Sequence, residues 1–146
     1  METWEVNSLE ELDSVVDCVY KKLTESSEQT PVLALHGDLG AGKTTFVQKL
    51  AKLMNIDEVV TSPTFVVMKK YVAGDSDQQL IHIDAYRIEE VDEMRVLGFV
   101  GLLAEKDTII CIEWAENIAE LLPSHTYHLN FALASEARTI TLTNNG

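Results

Sequence analysis

Apolar residues recur at two different spacings along this chain, and the alternation between the spacings predicts helices packed against a sheet. Apolar residues at positions 9, 12, 15, 16, 19, 20 and 23 have helical spacing, and Ser8 with Glu11 forms a capping signature before them. Residues 32–35 (Val-Leu-Ala-Leu) form a short continuous apolar run, which is typical of a strand buried on both faces. A second amphipathic helix is predicted over residues 43–54.

The remaining pattern predicts further strands and two antiparallel hairpins. Residues 89–104 have a helical composition, with predicted interruptions at Gly98 and Gly101, and residues 115–122 form a short helix that stops at Pro123. Residues 65–72 and 80–84 are separated by a turn-rich stretch and predict a hairpin. Residues 127–133 and 139–143 predict a second, closing hairpin. Further short strands are predicted over residues 3–6 and 108–112.

A glycine-rich loop joins the buried strand to the second helix. Residues 37–44 (Gly-Asp-Leu-Gly-Ala-Gly-Lys-Thr) match the P-loop pattern G-x-x-x-x-G-K-S/T at every defined position. Such a loop turns backbone amides toward a phosphate, Lys43 reaches the β- and γ-phosphates, and the Thr44 hydroxyl suits Mg²⁺. The predicted nucleotide-binding residues are Asp38, Leu39, Gly40, Ala41, Gly42, Lys43, Thr44 and Thr45.

These elements predict an α/β protein. We expect a single P-loop NTPase domain over residues 1–146, with a mixed, mostly parallel sheet that is flanked by helices and carries antiparallel hairpins. No internal repeat, low-complexity tract or linker interrupts this pattern.

Two acidic residues end predicted strands. Asp84 closes the strand over residues 80–84, and Glu113 follows the strand over residues 108–112. Because ligands of open α/β sheets lie beyond the carboxyl ends of the strands, both side chains can reach a bound metal or an attacking water. We therefore predict Lys43, Asp84 and Glu113 as catalytic residues. For either carboxylate taken alone, the alternative interpretation is a surface acid or a helix cap.

Other residues near these motifs allow more than one interpretation each. Thr61, Ser62 and Thr64 suit a switch-like segment that senses the nucleotide, or an ordinary turn around a proline. Arg87 suits the balancing of phosphate charge, the holding of the two acids in place, or simple solvation at the surface. Trp114 suits stacking on a base or partner, although a core position is the commoner case.

Composition narrows the function classes. The net charge of −13 opposes direct gripping of nucleic acid or of an anionic membrane, because both need clustered Lys and Arg. No apolar run approaches the roughly 18 residues of a membrane span, and the acidic amino terminus lacks the features of a secretory signal. We therefore expect a cytoplasmic protein without a membrane partner.

The motifs taken together resemble the bacterial TsaE (YjeE) family. They are His36 to Thr45 (HGDLGAGKTT), residues 61–65 (TSPTF), residues 82–87 (HIDAYR), residues 97–99 (LGF) and residues 112–116 (IEWAE). The P-loop alone indicates only an NTPase, whereas the joint pattern of these motifs is far more specific. The resemblance extends from the helix at Ser8 to about Pro123 and finds no departure at these positions.

The resemblance implies a Mg²⁺-dependent ATPase that serves threonylcarbamoyladenosine formation on tRNA. It implies that the chain acts together with the partner proteins TsaD and TsaB, and that it reaches tRNA only through their complex. It also implies Mg²⁺ held by Thr44 and Glu113, with Asp84 supporting the metal or the water. Since the motifs indicate no arginine finger, slow hydrolysis by the chain alone is expected.

Two other function classes fit the same loop. A small-molecule kinase uses it with an acceptor pocket and usually a basic lid, although only eleven Lys and Arg occur here and no Arg-rich segment stands out. A nucleotide-dependent interaction switch uses binding without required hydrolysis. If Asp84→Ala or Glu113→Ala abolishes hydrolysis but keeps ATP binding and partner function, the switch is favoured over the ATPase. Formation of phosphorylated products, rather than release of free phosphate, would identify a kinase.

Overall fold

A twisted sheet forms the centre of the molecule. The computed structural model describes residues 1–25, 29–37, 42–61, 67–134 and 137–144. Within these ranges seven strands make one sheet in the order β1-β7-β6-β2-β5-β4-β3. The strands are β1 Glu2–Val6, β2 Val32–Gly37, β3 Met68–Val72, β4 Gln79–Asp84, β5 Thr108–Glu113, β6 Tyr127–Ala134 and β7 Ala137–Asn144.

Helices cover both faces of this sheet. Four α-helices occur in the described ranges: α1 Leu9–Thr24, α2 Lys43–Leu53, α3 Val91–Val96 and α4 Phe99–Leu102. A 3-10 helix over Ala115–Leu121 follows β5. One buried cluster joins α1 and α2 to one face, and a second joins α3, α4 and the 3-10 helix to the other. This layering confirms the predicted α/β class.

The direction of the strands divides the sheet into a parallel centre and antiparallel margins. Strand β2 pairs in parallel with β5 and β6, and β4 pairs in parallel with β5. The hairpins β3–β4 and β6–β7 are antiparallel, as the sequence predicts, and β1 pairs antiparallel with β7. The expected mixed sheet is therefore confirmed, although parallel and antiparallel pairings are equally frequent among the described strands.

Local sequence signals explain where the first helix begins. The Ser8 hydroxyl accepts a hydrogen bond from the Glu11 amide at 3.1 Å, which satisfies one of the free amides of the first turn. The Glu11 carboxylate in turn accepts from the amide of Asn7 at 3.2 Å. The first bond is that of a standard capping box, whereas the Glu11 carboxylate bonds the amide one residue before the cap, and α1 starts at Leu9.

The helical segment after β4 differs from the sequence prediction. Gly98 has a φ of +85° and separates α3 from α4, which confirms the interruption there. Gly101 lies inside α4 and does not interrupt it, so the second expected break is wrong. Strand β3 begins at Met68, and residues 65–66 of the predicted strand lie outside the described ranges. In the described part of the chain, no helix has the length and apolarity needed to cross a membrane.

The burial of β2 makes a test of the core. Leu33 is fully buried in the middle of β2, whereas Leu133 on β6 is 60% exposed. We expect Leu33→Ala to lower the free energy of unfolding by about 2–5 kcal/mol, because it removes apolar contacts and leaves a cavity. The matched variant Leu133→Ala should change it by less than about 0.5 kcal/mol. Urea unfolding measures both, and equal losses would contradict the assigned position of β2.

Candidate functional site

The parallel pairing of three strands brings the predicted acids to one edge of the sheet. Strands β2, β4 and β5 end at Gly37, Asp84 and Glu113. In the register of the sheet, Asp84 lies opposite Glu113, and Glu113 lies opposite Leu35 on β2. Helix α2 begins at Lys43, close to the end of β2. The structure therefore places the three predicted catalytic residues at the carboxyl edge of the parallel strands.

The described ranges contain only part of the predicted phosphate loop and switch segment. Gly42 precedes α2, and Lys43, Thr44 and Thr45 form its first turn, with both threonines half-buried. Thr61 is exposed, and its hydroxyl accepts a hydrogen bond from the Lys69 amine at 3.3 Å. The predicted residues outside the described ranges are Asp38, Leu39, Gly40, Ala41, Ser62 and Thr64.

Two glycines of the loop occupy positions that other residues would not fit. Gly42 caps α2 with a φ of +103°, in the left-handed region that side chains rarely adopt. At Gly37 the φ is +142°, and a Cβ atom there would lie 2.6 Å from the carbonyl oxygen of Phe131 on β6. The close approach of β6 therefore requires glycine at the end of β2.

Lys43 is a buried cation at the start of α2. Its side chain is only 8% exposed, and its Nζ donates a hydrogen bond to the Gly37 carbonyl at 2.8 Å. The same Nζ lies 5.8 Å from the centre of the Trp114 ring. The amine is thus held between the end of β2 and the residue that follows β5, where the amino-terminal dipole of α2 also attracts anions.

Glu113 is held by a residue whose contribution the sequence analysis missed. The His82 Nε2 lies 2.8 Å from a Glu113 carboxylate oxygen, and both side chains are buried. Because the carboxylate can only accept, His82 donates from Nε2. The His82 Nδ1 has no described hydrogen-bond partner. The signal in the sequence is a histidine between two isoleucines, two residues before Asp84 and therefore on the same face of the strand.

Asp84 is more open than Glu113. It is half-buried, and its Oδ1 accepts a hydrogen bond from the Tyr86 amide at 2.9 Å. This contact tightens the turn after β4 and fixes one carboxylate oxygen. The two acids therefore differ in their surroundings, since Glu113 is anchored by an imidazole and Asp84 by a backbone amide.

An aromatic pair forms the rim beside these charges. Trp114 adopts a φ of +58° and is 41% exposed, and its ring centre lies 4.9 Å from that of Tyr86. The core position considered for Trp114 is therefore wrong. A bulky residue with positive φ is strained, and such strain is held where the surrounding structure fixes it. Arg87 is exposed just beyond this pair.

A pair of histidines on β2 and β6 lies near the carboxyl end of β2. The His36 Nε2 is 2.9 Å from the His128 Nδ1, the rings stack 5.1 Å apart, and the His36 Nδ1 is 3.6 Å from the Glu116 carboxylate. Burial lowers the pKa of both histidines below the ordinary 6.5. The Glu116 carboxylate partly opposes this for His36, while Lys43 adds to it. The positive charge of His36 adds to the lowering at His128.

The buried strand, the left-handed glycine and the helix that starts at a lysine together have the arrangement of a P-loop protein. The model of the family described as threonylcarbamoyl adenosine biosynthesis protein TsaE matches residues 7–140. The chain therefore belongs to the TsaE family, whose role is in threonylcarbamoyladenosine biosynthesis.

Individual relatives agree with this assignment. The tRNA threonylcarbamoyladenosine biosynthesis protein TsaE of Bacillus subtilis is 40% identical over 113 residues, which cover 77% of this chain and 68% of that protein. The corresponding protein of Streptomyces coelicolor is 33% identical over 132 residues, with coverage of 86% and 88%. The crystal structure of YdiB from Bacillus subtilis superposes with a TM-score of 0.72 at 29% identity, covering 99% of this chain and 86% of YdiB.

The contact between His82 and Glu113 generates a prediction about stability. We expect His82→Leu to lower the free energy of unfolding by about 1–3 kcal/mol, because it leaves a buried carboxylate without its donor. His82→Gln, which keeps a donor near the Nε2 position, should lose less. In a Glu113→Met background the cost of His82→Leu should shrink by at least about 0.5 kcal/mol in urea unfolding. The same cost in both backgrounds would contradict the contact.

The histidine pair predicts a dependence of stability on pH. The pKa values of His36 and His128 in the folded chain lie below 6.5. Between those lowered values and pH 6.5, the unfolded chain therefore binds more protons than the folded chain. Their contribution to stability is complete above about pH 6.5 and decreases as the pH falls toward the lowered values. Urea unfolding between pH 5 and 7.5 should show a flatter slope for the double variant His36→Asn/His128→Asn. An unchanged slope would refute this origin.

Proposed function

We propose that this chain is a Mg²⁺-dependent ATPase that supports threonylcarbamoyladenosine formation on tRNA by acting on a complex of TsaB and TsaD. The observation that carries the proposal is the meeting of Lys43, Asp84 and Glu113 at the carboxyl edge of β2, β4 and β5. A cation for the phosphates and two acids beside it are the groups that nucleotide hydrolysis needs.

The phosphates of ATP would lie at the amino terminus of α2. Gly42 adds no side chain there, and Lys43 brings a buried positive charge that favours the β- and γ-phosphates. Nucleotide binding would compete with the present bond from the Lys43 amine to the Gly37 carbonyl. The amine is therefore already close to the place where negative charge develops during hydrolysis.

The donor set at this edge fits Mg²⁺. The ion prefers hard oxygen ligands, and Thr44, Asp84 and Glu113 offer a hydroxyl and two carboxylates. We assign Thr44 and Glu113 to the metal and Asp84 to support of the metal or of the water. When bound, Mg²⁺ neutralises charge on the β- and γ-phosphate oxygens.

The acids orient the remaining chemistry. Hydrolysis forms a bond from a water oxygen to the γ-phosphorus and breaks the bond to the bridging oxygen, which leaves as ADP. Since one oxygen of Asp84 accepts from the Tyr86 amide, its other oxygen would be the one that contacts a water or a hydrated ligand. His82 orients Glu113 in the same way from the buried side. Both carboxylates are thus positioned before the nucleotide binds.

The charge of the chain supports an indirect role toward tRNA. A net charge of −13 opposes contact with phosphate backbones, so partner proteins would hold the tRNA. Tyr86 and Trp114 are exposed at the rim of the site, where a partner can sense the bound nucleotide. Because tRNA is modified in the cytoplasm of bacteria, the proposed function gives this protein a cytoplasmic location.

ATP hydrolysis tests the proposal directly. We expect weak release of phosphate from ATP by the chain alone and a clear increase with TsaB and TsaD, since the motifs contain no arginine finger. Lys43→Ala should lower the rate at least about 100-fold, because charge stabilisation of the transition state is lost. The matched control Lys52→Ala removes an exposed lysine from the same helix and should leave the rate unchanged.

The products and the metal sharpen this test. ADP and inorganic phosphate should form in equal amounts, and a chelator should stop the reaction until Mg²⁺ is restored. Equal rates with and without TsaB and TsaD would contradict the proposed partners. If TsaB and TsaD modify tRNA fully with a Glu113→Gln variant that binds ATP without hydrolysing it, the result would instead support the nucleotide-dependent interaction switch.

A further inference from the structure

The carboxylate of Asp84 is held by a backbone turn that has already left the sheet. The amide of Tyr86, two residues beyond Asp84, donates to its Oδ1 at 2.9 Å. The turn is closed by a hydrogen bond from the Ile88 amide to the Ala85 carbonyl at 3.1 Å. Pairing with β5 extends just past the strand, because the Ala85 amide donates to the Glu113 carbonyl at 3.0 Å. The position of the Tyr86 amide therefore depends on contacts that the turn makes outside the sheet.

One such contact comes from Asn117, in the 3-10 helix that follows Glu113. Its Nδ2 lies 2.9 Å from the carbonyl oxygen of Ala85 and 3.4 Å from the carbonyl oxygen of Tyr86. Because both neighbours are acceptors, the carboxamide presents its nitrogen to them and donates both bonds. The side chain of Asn117 therefore links the segment after β5 to the turn after β4.

The helix that carries Asn117 is anchored on the core. Ala115 and Ile118 are fully buried in the cluster of side chains on that face of the sheet. The Asn117 amide also donates to the Trp114 carbonyl at 3.1 Å, which fixes the backbone of the first turn. The side chain of Asn117 is exposed, so its replacement removes the two bonds without opening a cavity in the core.

The aromatic pair at the rim joins the same two segments in a less directional way. The rings of Tyr86 and Trp114 lie 4.9 Å apart, with their planes tilted by 59°. Contacts between rings allow several offset and tilted arrangements, whereas a hydrogen bond weakens steeply when its angle changes. The carboxamide of Asn117 therefore restricts the turn more narrowly than the ring pair does.

We propose that Asn117 is a positioning residue of the candidate site, which holds the turn after β4 so that the Tyr86 amide stays bonded to the Asp84 carboxylate. This inference rests on the proposed function, because it assigns Asn117 to the hydrolysis of ATP. Asn117 acts through the peptide groups of the turn and not by contact with Asp84. Displacement of a catalytic group by about 1 Å can cost about 100-fold in rate, so a small movement of the turn is enough.

The kinetics of phosphate release from ATP, with TsaB and TsaD present, test this role. Asn117→Leu keeps the approximate size of the side chain and removes the donor. We expect kcat to fall about tenfold and the KM for ATP to change less than about twofold, because Lys43 and the phosphate loop are untouched. Asn117→Gln keeps a carboxamide and should recover most of the lost kcat. Ala119→Leu adds the same side chain at an exposed position of the same helix, and should leave both constants unchanged.

Amide hydrogen exchange in the nucleotide-free chain tests the link separately from catalysis. Measured by NMR, the Tyr86 amide should exchange at least about fivefold faster in Asn117→Leu than in the wild-type chain, because the turn opens more often. Amides within α1 and α2 should keep their exchange rates, since neither helix contacts the turn through Asn117. The Ala119→Leu control should leave the Tyr86 amide unchanged.

The outcomes separate this inference from the proposed function. If the wild-type chain hydrolyses ATP and Asn117→Leu keeps the same kcat, or if Asn117→Gln is as slow as Asn117→Leu, the inference is overturned. It is also overturned if the exchange of the Tyr86 amide is unchanged, or if exchange becomes faster throughout the chain while kcat and KM change together. If the wild-type chain does not hydrolyse ATP with its partners, the proposed function fails, and the assignment of Asn117 to hydrolysis fails with it.

Discussion

The parallel hydrogen bonding of β4, β5 and β2 is the constraint on which the whole site depends. Because these three strands run in the same direction and in a fixed register, their carboxyl ends meet at one edge, with Asp84 opposite Glu113 and Gly37 beside them. A slip of one residue would turn each side chain to the other face of the sheet. Because β2 and β5 pack against a separate cluster of side chains on each face, such a slip would also disrupt close packing on both sides of the sheet.

The contact between His82 and Glu113 extends this constraint from the backbone to the chemistry. A carboxylate that is nearly buried needs a donor, because burial of an unpaired charge is strongly unfavourable. His82 meets this need from inside the same sheet, and its own Nδ1 is left without a described partner. An unpaired buried polar atom has a cost in free energy, so the arrangement favours a fixed Glu113 over the greatest stability.

The sequence predicts most of the fold because most of the elements carry local signals. The cap at Ser8, the buried run of β2 and the two hairpins all depend on residues close together in the chain. The order of the strands is not local, so the separation of β6 and β7 from the acids by β2 could not be derived. For the same reason the contacts of His82 with Glu113 and of His36 with His128 could not be predicted. The sequence favours a core position for Trp114, whereas the turn after β5 gives this residue a positive φ and leaves its side chain partly exposed.

Under the proposed function, the acidity of the chain links the binding of nucleotide to the binding of metal. A triphosphate at the end of β2 would meet the Lys43 charge and the dipole of α2. On the β5 side it would meet two carboxylates, whose repulsion grows as the γ-phosphate approaches them. A divalent cation reverses that repulsion. Under the proposed function, ATP and Mg²⁺ therefore bind cooperatively. The carboxylates of the chain oppose the γ-phosphate more than any other part of the nucleotide. Nucleotide binding is therefore most easily altered there by the charge of a partner protein.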